Sequence, residues 1–222
     1  MFYKDSHQVY HARELDALPW LIHGFGTRQS DIPGWFANLA TVKQIHSAKV
    51  VCAEGRCGVL GEGDALLENR PGSVAAVKTA DCMPILLVDE RHRAVAAVHA
   101  GWRGTAAHIV GAAVDAMRTR FASAAADLHA AIGPGIGECC YEVGPEVAAH
   151  FGLAGRAHIS LANANRDQLL AAGVTAGRIY ASNLCTMCRA EEFHSFRRDR
   201  EAAGRLYSYI GIRPKGSLRA LK

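Results

Sequence analysis

The 222-residue sequence reads as one soluble globular domain that mixes strands with helices. Three observations support this. Two short runs rich in Val, Ile, Leu and Ala lie within Ala75–Thr105, separated by the charged segment Asp89-Glu90-Arg91-His92-Arg93. From Thr105 to Phe121 apolar residues recur at helical spacing, and Leu128 to Ile132 forms a compact apolar run that ends in glycines.

The paired runs read as a β-hairpin, each arm carrying one metal-capable residue, Cys82 and His99. With the turn centred on Glu90-Arg91, the two are equidistant from it, and opposite residues on antiparallel strands have Cβ atoms roughly 5 Å apart. Glu-Arg lacks the chemistry of a two-residue turn, so a longer loop would shift this register while keeping the arms adjacent. After His99 come Gly101-Trp102-Arg103-Gly104-Thr105 and an Ala-rich segment. A strand is thus expected to hand over to a helix N-terminus with Arg103 beside it, an arrangement that favours an anion.

The remaining elements follow in order. Leu21 to Arg28 is a strand entering a glycine turn, with His23 read as a hydrogen-bonded core residue. A β-like run from Val50 to Ala53 follows the polar cluster Gln44-Ile45-His46-Ser47, and Gln44 shares a face with His46 if that cluster is extended. Gly58 to Asp64 reads as a turn. The glycines at 133, 135 and 137 let backbone approach a ligand but do not make the dinucleotide fingerprint. Short helices are expected at Pro145–Phe151 and Asn165–Ala172, the latter closed by Gly173, before a last strand region at Ile179. Vicinal Cys139 and Cys140 read as core, because adjacent side chains diverge in a strand. Cys185-x-x-Cys188 is half of a zinc ribbon with no second half. Arg197-Arg198-Asp199 suits either a phosphate clamp or local ion pairs.

Composition narrows the function. Lys and Arg number 25 against 21 Asp and Glu, a net charge of +4 with its excess toward the C-terminus, including Arg213, Lys215, Arg219 and Lys222. That is too weak a patch for nucleic acid and suits a local anion site. No run reaches the ~18 apolar residues of a membrane span, and the N-terminus lacks a signal-peptide core, so a cytoplasmic protein free of membrane is expected. Seven cysteines in such a chain are expected to be reduced.

His46, Cys82 and His99 together suit a tetrahedral zinc site with three protein ligands and one open position, the catalytic pattern. Zinc lowers the pKa of bound water toward ~7, which suits hydrolysis or deamination. The same residues equally suit a metal-free Cys-His nucleophile.

The blocks Gln44-Ile45-His46-Ser47, Thr79-Ala80-Asp81-Cys82 and His99-Ala100-Gly101-Trp102-Arg103-Gly104-Thr105 resemble the laccase-domain family. Gly133-Pro134, Cys140-Tyr141-Glu142-Val143-Gly144, Cys185-Thr186, Phe196-Arg197-Arg198-Asp199 and Gly204-Arg205 extend the resemblance over nearly the whole chain. This family is also called the multicopper polyphenol oxidoreductase or peptidoglycan-editing-factor family, and its members are described as purine nucleoside phosphorylases. The resemblance implies an α+β fold, a mixed β-sandwich core flanked by helices, over a single catalytic domain spanning residues 1–222. It implies one zinc on His46, Cys82 and His99, and phosphorolysis of adenosine, inosine and S-methyl-5'-thioadenosine with adenosine deamination alongside. Arg103 is the physical candidate for phosphate; Gln44 and Arg198 are further candidate substrate contacts. Relatives carry a longer segment, including a helix, where this chain has only Asp31 to Val42 before the Gln-x-His block.

Three other functions compete. A copper polyphenol oxidase is disfavoured because none of the eleven histidines are two apart. A cysteine-type amidase acting on peptidoglycan precursors would use Cys82 as nucleophile and survive chelation. A zinc-stabilised binding module would bind nucleotides without turnover. The open zinc position beside an arginine favours the enzyme, and a monomer is expected.

Overall fold

Apolar alternation builds two stacked sheets, and the way the chain passes between them positions everything that follows. The computed structural model describes residues 1–214; Lys215, Arg219 and Lys222 lie outside the described residues. The first strands are β1 (Phe2–Lys4), β2 (Val9–Ala12), β3 (Leu21–Gly26), β4 (Leu39–Lys43) and β5 (Val50–Cys52). Next come β6 (Gly58–Glu62), β7 (Ala65–Glu68), β8 (Val74–Thr79), β9 (Met83–Asp89) and β10 (Ala94–Ala100). The chain continues through β11 (Leu128–Ile132), β12 (Glu142–Val143), β13 (Ala157–His158), β14 (Ile179–Ala181) and β15 (Leu206–Ile212). A seven-stranded sheet has the order β1-β2-β3-β15-β8-β4-β6, and a six-stranded sheet the order β14-β11-β9-β10-β7-β5. β12 and β13 pair separately.

Strands β9 and β10 are buried along their whole length, so they read as unbroken apolar runs while still dividing their side chains by parity. Leu86, Val88, Val95 and Ala97 face Phe25, Val42, Val77 and Ile210 of the first sheet. Ile85, Leu87, Ala96 and Val98 face the opposite way, onto a layer that includes Ile109, Ala113, Met117 and Leu169. The result is an α+β sandwich with helices on the outer face of the six-stranded sheet.

The helices are α1 (Ile32–Trp35), α2 (Trp102–Ala106), α3 (Ile109–Phe121), α4 (Pro145–Ala148), α5 (Leu161–Ala171) and α6 (Phe196–Asp199). The single helix expected from Thr105 to Phe121 is broken, because His108 adopts a left-handed conformation with φ of 59° between α2 and α3. Ser160 caps α5 through Asn163 N–H, and Gly173, at φ of +96°, closes it as expected. The glycine-rich stretch at 58–64, expected to turn, instead supplies β6, paired in parallel with β4.

The β9–β10 hairpin has a four-residue loop, so His99 pairs with Pro84 and Ala100 with Met83. Continuing that register, Cys82 falls opposite Gly101 rather than His99, two positions from the simple hairpin geometry. Parity nevertheless keeps Cys82 and His99 on the face between the sheets.

Topology then brings distant residues together. β4 runs parallel to both β6 and β8, so all three reach the same end of the seven-stranded sheet. Each then crosses to the six-stranded sheet, as β5, β7 and β9 respectively. The three crossings carry His46, Asp64 and Cys82. His99 arrives at the same end from β10, which runs antiparallel to both β7 and β9.

Candidate metal centre and its cavity

The ligand atoms of His46, Cys82 and His99 lie within 4.8 Å of one another, and the two imidazoles meet edge to face with centroids 4.9 Å apart. His99 is buried, Cys82 half-buried and His46 exposed, so the cluster opens on one side only. Two imidazole nitrogens and a thiolate form a donor set for zinc or another borderline ion. The backbone is shaped around it. A Cβ on Gly101 would stand 2.9 Å from Cys82 Sγ and 3.2 Å from the His46 ring, so the glycine leaves the volume the two ligands occupy.

Asp64 organises the set. Its fully buried carboxylate accepts five hydrogen bonds: from Ile45 N–H (3.3 Å), His46 N–H (2.9 Å), Ser47 N–H (2.6 Å), Ser47 Oγ (2.8 Å) and His99 Nδ1 (2.9 Å). The last fixes the His99 tautomer and leaves Nε2 for a metal, the usual carboxylate–histidine arrangement. The others hold His46 at φ of 59°, a costly conformation for a non-glycine residue that persists where its surroundings over-determine it. Asp64 O also accepts from His99 N–H at 2.7 Å.

Charges follow from these contacts. Burial pushes the Asp64 carboxyl up, but hydrogen bonds from His99 and Ser47 overcome it and bring it to about 2. Burial likewise opposes the Cys82 thiolate, yet hydrogen bonds and charge from His46 and His99 lower it to about 6. His99 is disfavoured as a cation by burial but is raised to about 9 by Asp64 and Cys82. These contacts favour an imidazolium on His99 between the Asp64 carboxylate and the Cys82 thiolate.

Asp81, just before Cys82, turns away from the cluster at φ of 87°. Its carboxylate accepts from Thr186 Oγ1 (2.7 Å) and Arg197 N–H (2.6 Å), anchoring Cys82 to the 185–199 region. It positions Cys82 and does not line the cavity into which the cluster opens.

The opening is a cavity of about 460 Å³ lined by His46, Cys82 and His99 together with Lys43, Gln44, Lys78, Phe196 and Arg205. The sequence reading singled out Gln44 among the walls. Its side-chain amide both donates to Lys78 O (2.7 Å) and accepts from Lys78 N–H (2.8 Å), joining β4 to β8 at the cavity wall. Arg103 is not among the lining residues; it is exposed, with its guanidinium 4.4 Å from the Trp102 ring centroid. Arg198 spends its donors on Asp199, in a bidentate pair at 2.8 Å, and on the carbonyls of Thr186, Met187 and Phe193. That is the local ion-pair alternative for the Arg-Arg-Asp cluster, with no donor left for an anion.

Lys43 and Lys78 were missed because they are far apart in sequence and ordinary in type, whereas Phe196 and Arg205 stand in the resembling blocks without a role of their own being read there. Asp64 carried a readable signal: a carboxylate placed directly before the apolar run Ala65-Leu66-Leu67, where only a buried partner keeps it ionised. His23 is buried and accepts from Ala12 N–H at 3.1 Å, as its core reading requires. No helix among the described residues is long and apolar enough to cross a membrane.

A family model described as multi-copper polyphenol oxidoreductase laccase matches residues 29–213. The purine nucleoside phosphorylase of Bacteroides thetaiotaomicron is 40% identical over 163 residues, which is 67% of this chain and 60% of that relative. The chain thus spans less than two thirds of that relative's length. A protein named adenosine deaminase RL5, from an unknown prokaryotic organism, is 40% identical over 89% of this chain and 81% of its own. The crystal structure of YlmD from Geobacillus stearothermophilus superposes with a TM-score of 0.88 at 28% identity, covering 96% of this chain and 98% of the other.

Proposed function

This chain belongs to the multi-copper polyphenol oxidoreductase laccase family, and we propose that it is a zinc-dependent purine nucleoside phosphorylase with adenosine deaminase activity. One observation carries the reading: the His46, Cys82 and His99 cluster opens into a cavity that also presents cations and an exposed aromatic ring. The names borne by the relatives, phosphorylase and deaminase, support the same purine chemistry.

His46, Cys82 and His99 would hold the zinc, which when bound supplies a Lewis acid at the cavity floor. Phe196, 40% exposed at the cavity wall, offers a stacking face for a purine. Lys78 Nζ has no carboxylate partner among the described residues and Lys43 is paired only with exposed Glu62, so both are available to phosphate. Arg205 donates to the carbonyls of Ala203 and Gly204, which fixes its position at the same wall. These cations replace Arg103 as the phosphate contacts in this proposal. Adenosine, inosine and S-methyl-5'-thioadenosine are the proposed nucleosides, and the working form is a cytoplasmic monomer.

Release of free base from adenosine and inosine, measured with and without phosphate on protein of known metal content, tests the reading. Phosphate-dependent release is expected, lost in Cys82→Ala and with a raised KM for phosphate in Lys78→Ala. Absence of turnover in zinc-loaded protein would sink it. The low-pKa Cys82 thiolate beside two imidazoles also suits a cysteine amidase. That reading requires activity toward peptidoglycan precursors that survives chelation.

A further inference from the structure

A second cluster lies away from the cavity, where two loops cross. Cys139 and Cys140 sit in a turn rather than a strand, so their side chains converge instead of diverging. Cys185 and Cys188 come from the turn after β14. The half-site read in Cys185-x-x-Cys188 therefore meets a second pair of thiols, and the core reading fails for Cys139, which is exposed, while Cys140 is half-buried and packs against the core.

All four sulfurs lie within 4.8 Å of one another. Cys139 Sγ is 3.7 Å from both Cys140 Sγ and Cys188 Sγ, and Cys140 Sγ is 3.3 Å from Cys188 Sγ. A tetrahedral zinc with bonds of about 2.3 Å requires sulfurs about 3.8 Å apart. A disulfide requires about 2.05 Å, and all four thiols are free. Backbone supports the cluster as it does in thiolate–metal turns. Gly137 N–H donates to Cys185 Sγ at 3.2 Å. A Cβ on Gly137 would stand 3.1 Å from Cys139 Sγ and 3.2 Å from Cys185 Cβ, so the glycine gives the sulfurs their room.

We propose that Cys139, Cys140, Cys185 and Cys188 form a structural tetrathiolate zinc site, distinct from the His46, Cys82 and His99 centre. It closes four protein ligands around the ion and leaves no open position, so its role is a staple. The two loops it joins already exchange backbone hydrogen bonds, Gly135 N–H to Leu184 O (3.2 Å) and Thr186 N–H to Gly135 O (3.0 Å). Both also grip Asp81, through Ile136 N–H to Asp81 O (2.8 Å) and Thr186 Oγ1 to Asp81 Oδ1. The staple therefore braces the residue preceding a ligand of the first centre. This inference stands apart from the nucleoside reading, since a failed nucleoside assay leaves the metal count unchanged.

Metal content of the full chain, expressed with zinc and purified under reducing conditions, tests it. About two zinc ions per chain are expected in the wild type, and about one in either Cys82→Ser or Cys188→Ser. Cobalt-exchanged Cys82→Ser should show the strong sulfur-to-cobalt charge-transfer bands of a tetrathiolate centre, lost on adding Cys139→Ser. A wild-type count of about one that falls to zero in Cys82→Ser would overturn the proposal, as would recovery of a disulfide among these cysteines from anaerobically purified protein. If Cys188→Ser does not fold, the wild-type count and the cobalt spectrum of Cys82→Ser decide alone.

Discussion

Replacing Asp64 with Asn isolates what its charge does, because the side chain keeps its shape. One carboxylate oxygen accepts from His46 N–H and His99 Nδ1; the other accepts from Ile45 N–H, Ser47 N–H and Ser47 Oγ. An amide presents a donor at one of these positions whichever way it flips. With the donor toward Ile45 and Ser47, two backbone N–H groups lose their acceptor, and each unmade bond to a buried charged acceptor costs about 1.5–3 kcal/mol. With the donor toward His99, the imidazole is driven to the opposite tautomer and Nε2 carries the proton where a metal must bind. Either outcome weakens the centre, by roughly 10–100-fold in metal affinity, and lowers stability by about 3–6 kcal/mol if both N–H groups stay unpaired. Competition for zinc against a chromophoric chelator measures the first quantity, and denaturant unfolding of the metal-free protein the second. Affinity within twofold of wild type, with unchanged stability, would refute the assignment of Asp64 as the organiser of the cluster.

Further outcomes follow from the same geometry. Metal binding must displace a proton from His99, which is raised to about 9, so apparent affinity at the first centre should climb about tenfold per pH unit up to that value. Below about 6 Cys82 is protonated as well and the slope should double; a flat profile between pH 6 and 8 by chelator competition would contradict the charge arrangement. Gly101→Ala should lower zinc affinity at least tenfold with little change in secondary structure by circular dichroism, because its new Cβ would press on Cys82 Sγ and the His46 ring. His23 is held from its ordinary 6.5 down to about 3, chiefly by burial, so the unfolded chain takes up a proton that the folded one refuses. Stability attributable to this group is therefore present above pH 6.5 and falls by about 2 kcal/mol at pH 5. Unfolding free energies of wild type and His23→Gln across that range should converge accordingly, and parallel curves would count against the burial of a neutral imidazole.

What could be read from the chain alone depended on whether the signal was local. The β9–β10 hairpin, the α5 stop at Gly173 and the Leu128–Ile132 strand were legible because their patterns lie within a few residues, and the candidate ligands could be picked out because His and Cys are chemically committed. The α5 start was not, since Ser160 caps the helix and it begins at Leu161, four residues before the expected Asn165. The hairpin register was not legible, since it depends on a four-residue loop whose length no glycine or asparagine announces. The break at His108 escaped for a similar reason, as an apolar period continues across a single left-handed residue. The larger losses came from topology. Adjacent cysteines were judged by strand geometry, and only a turn makes them converge; Cys185 and Cys188 then supply the remaining corners from 45 or more residues away in sequence. Asp64 and the cavity cations belong to the same class, for what unites them is the passage of three parallel strands from one sheet to the other at a common end. Crossings of that kind gather residues from loops that share no sequence pattern, so a rare ligand type can be found by inspection, whereas the carboxylate that orients it and the lysine beside it become visible only when the sheets are assembled.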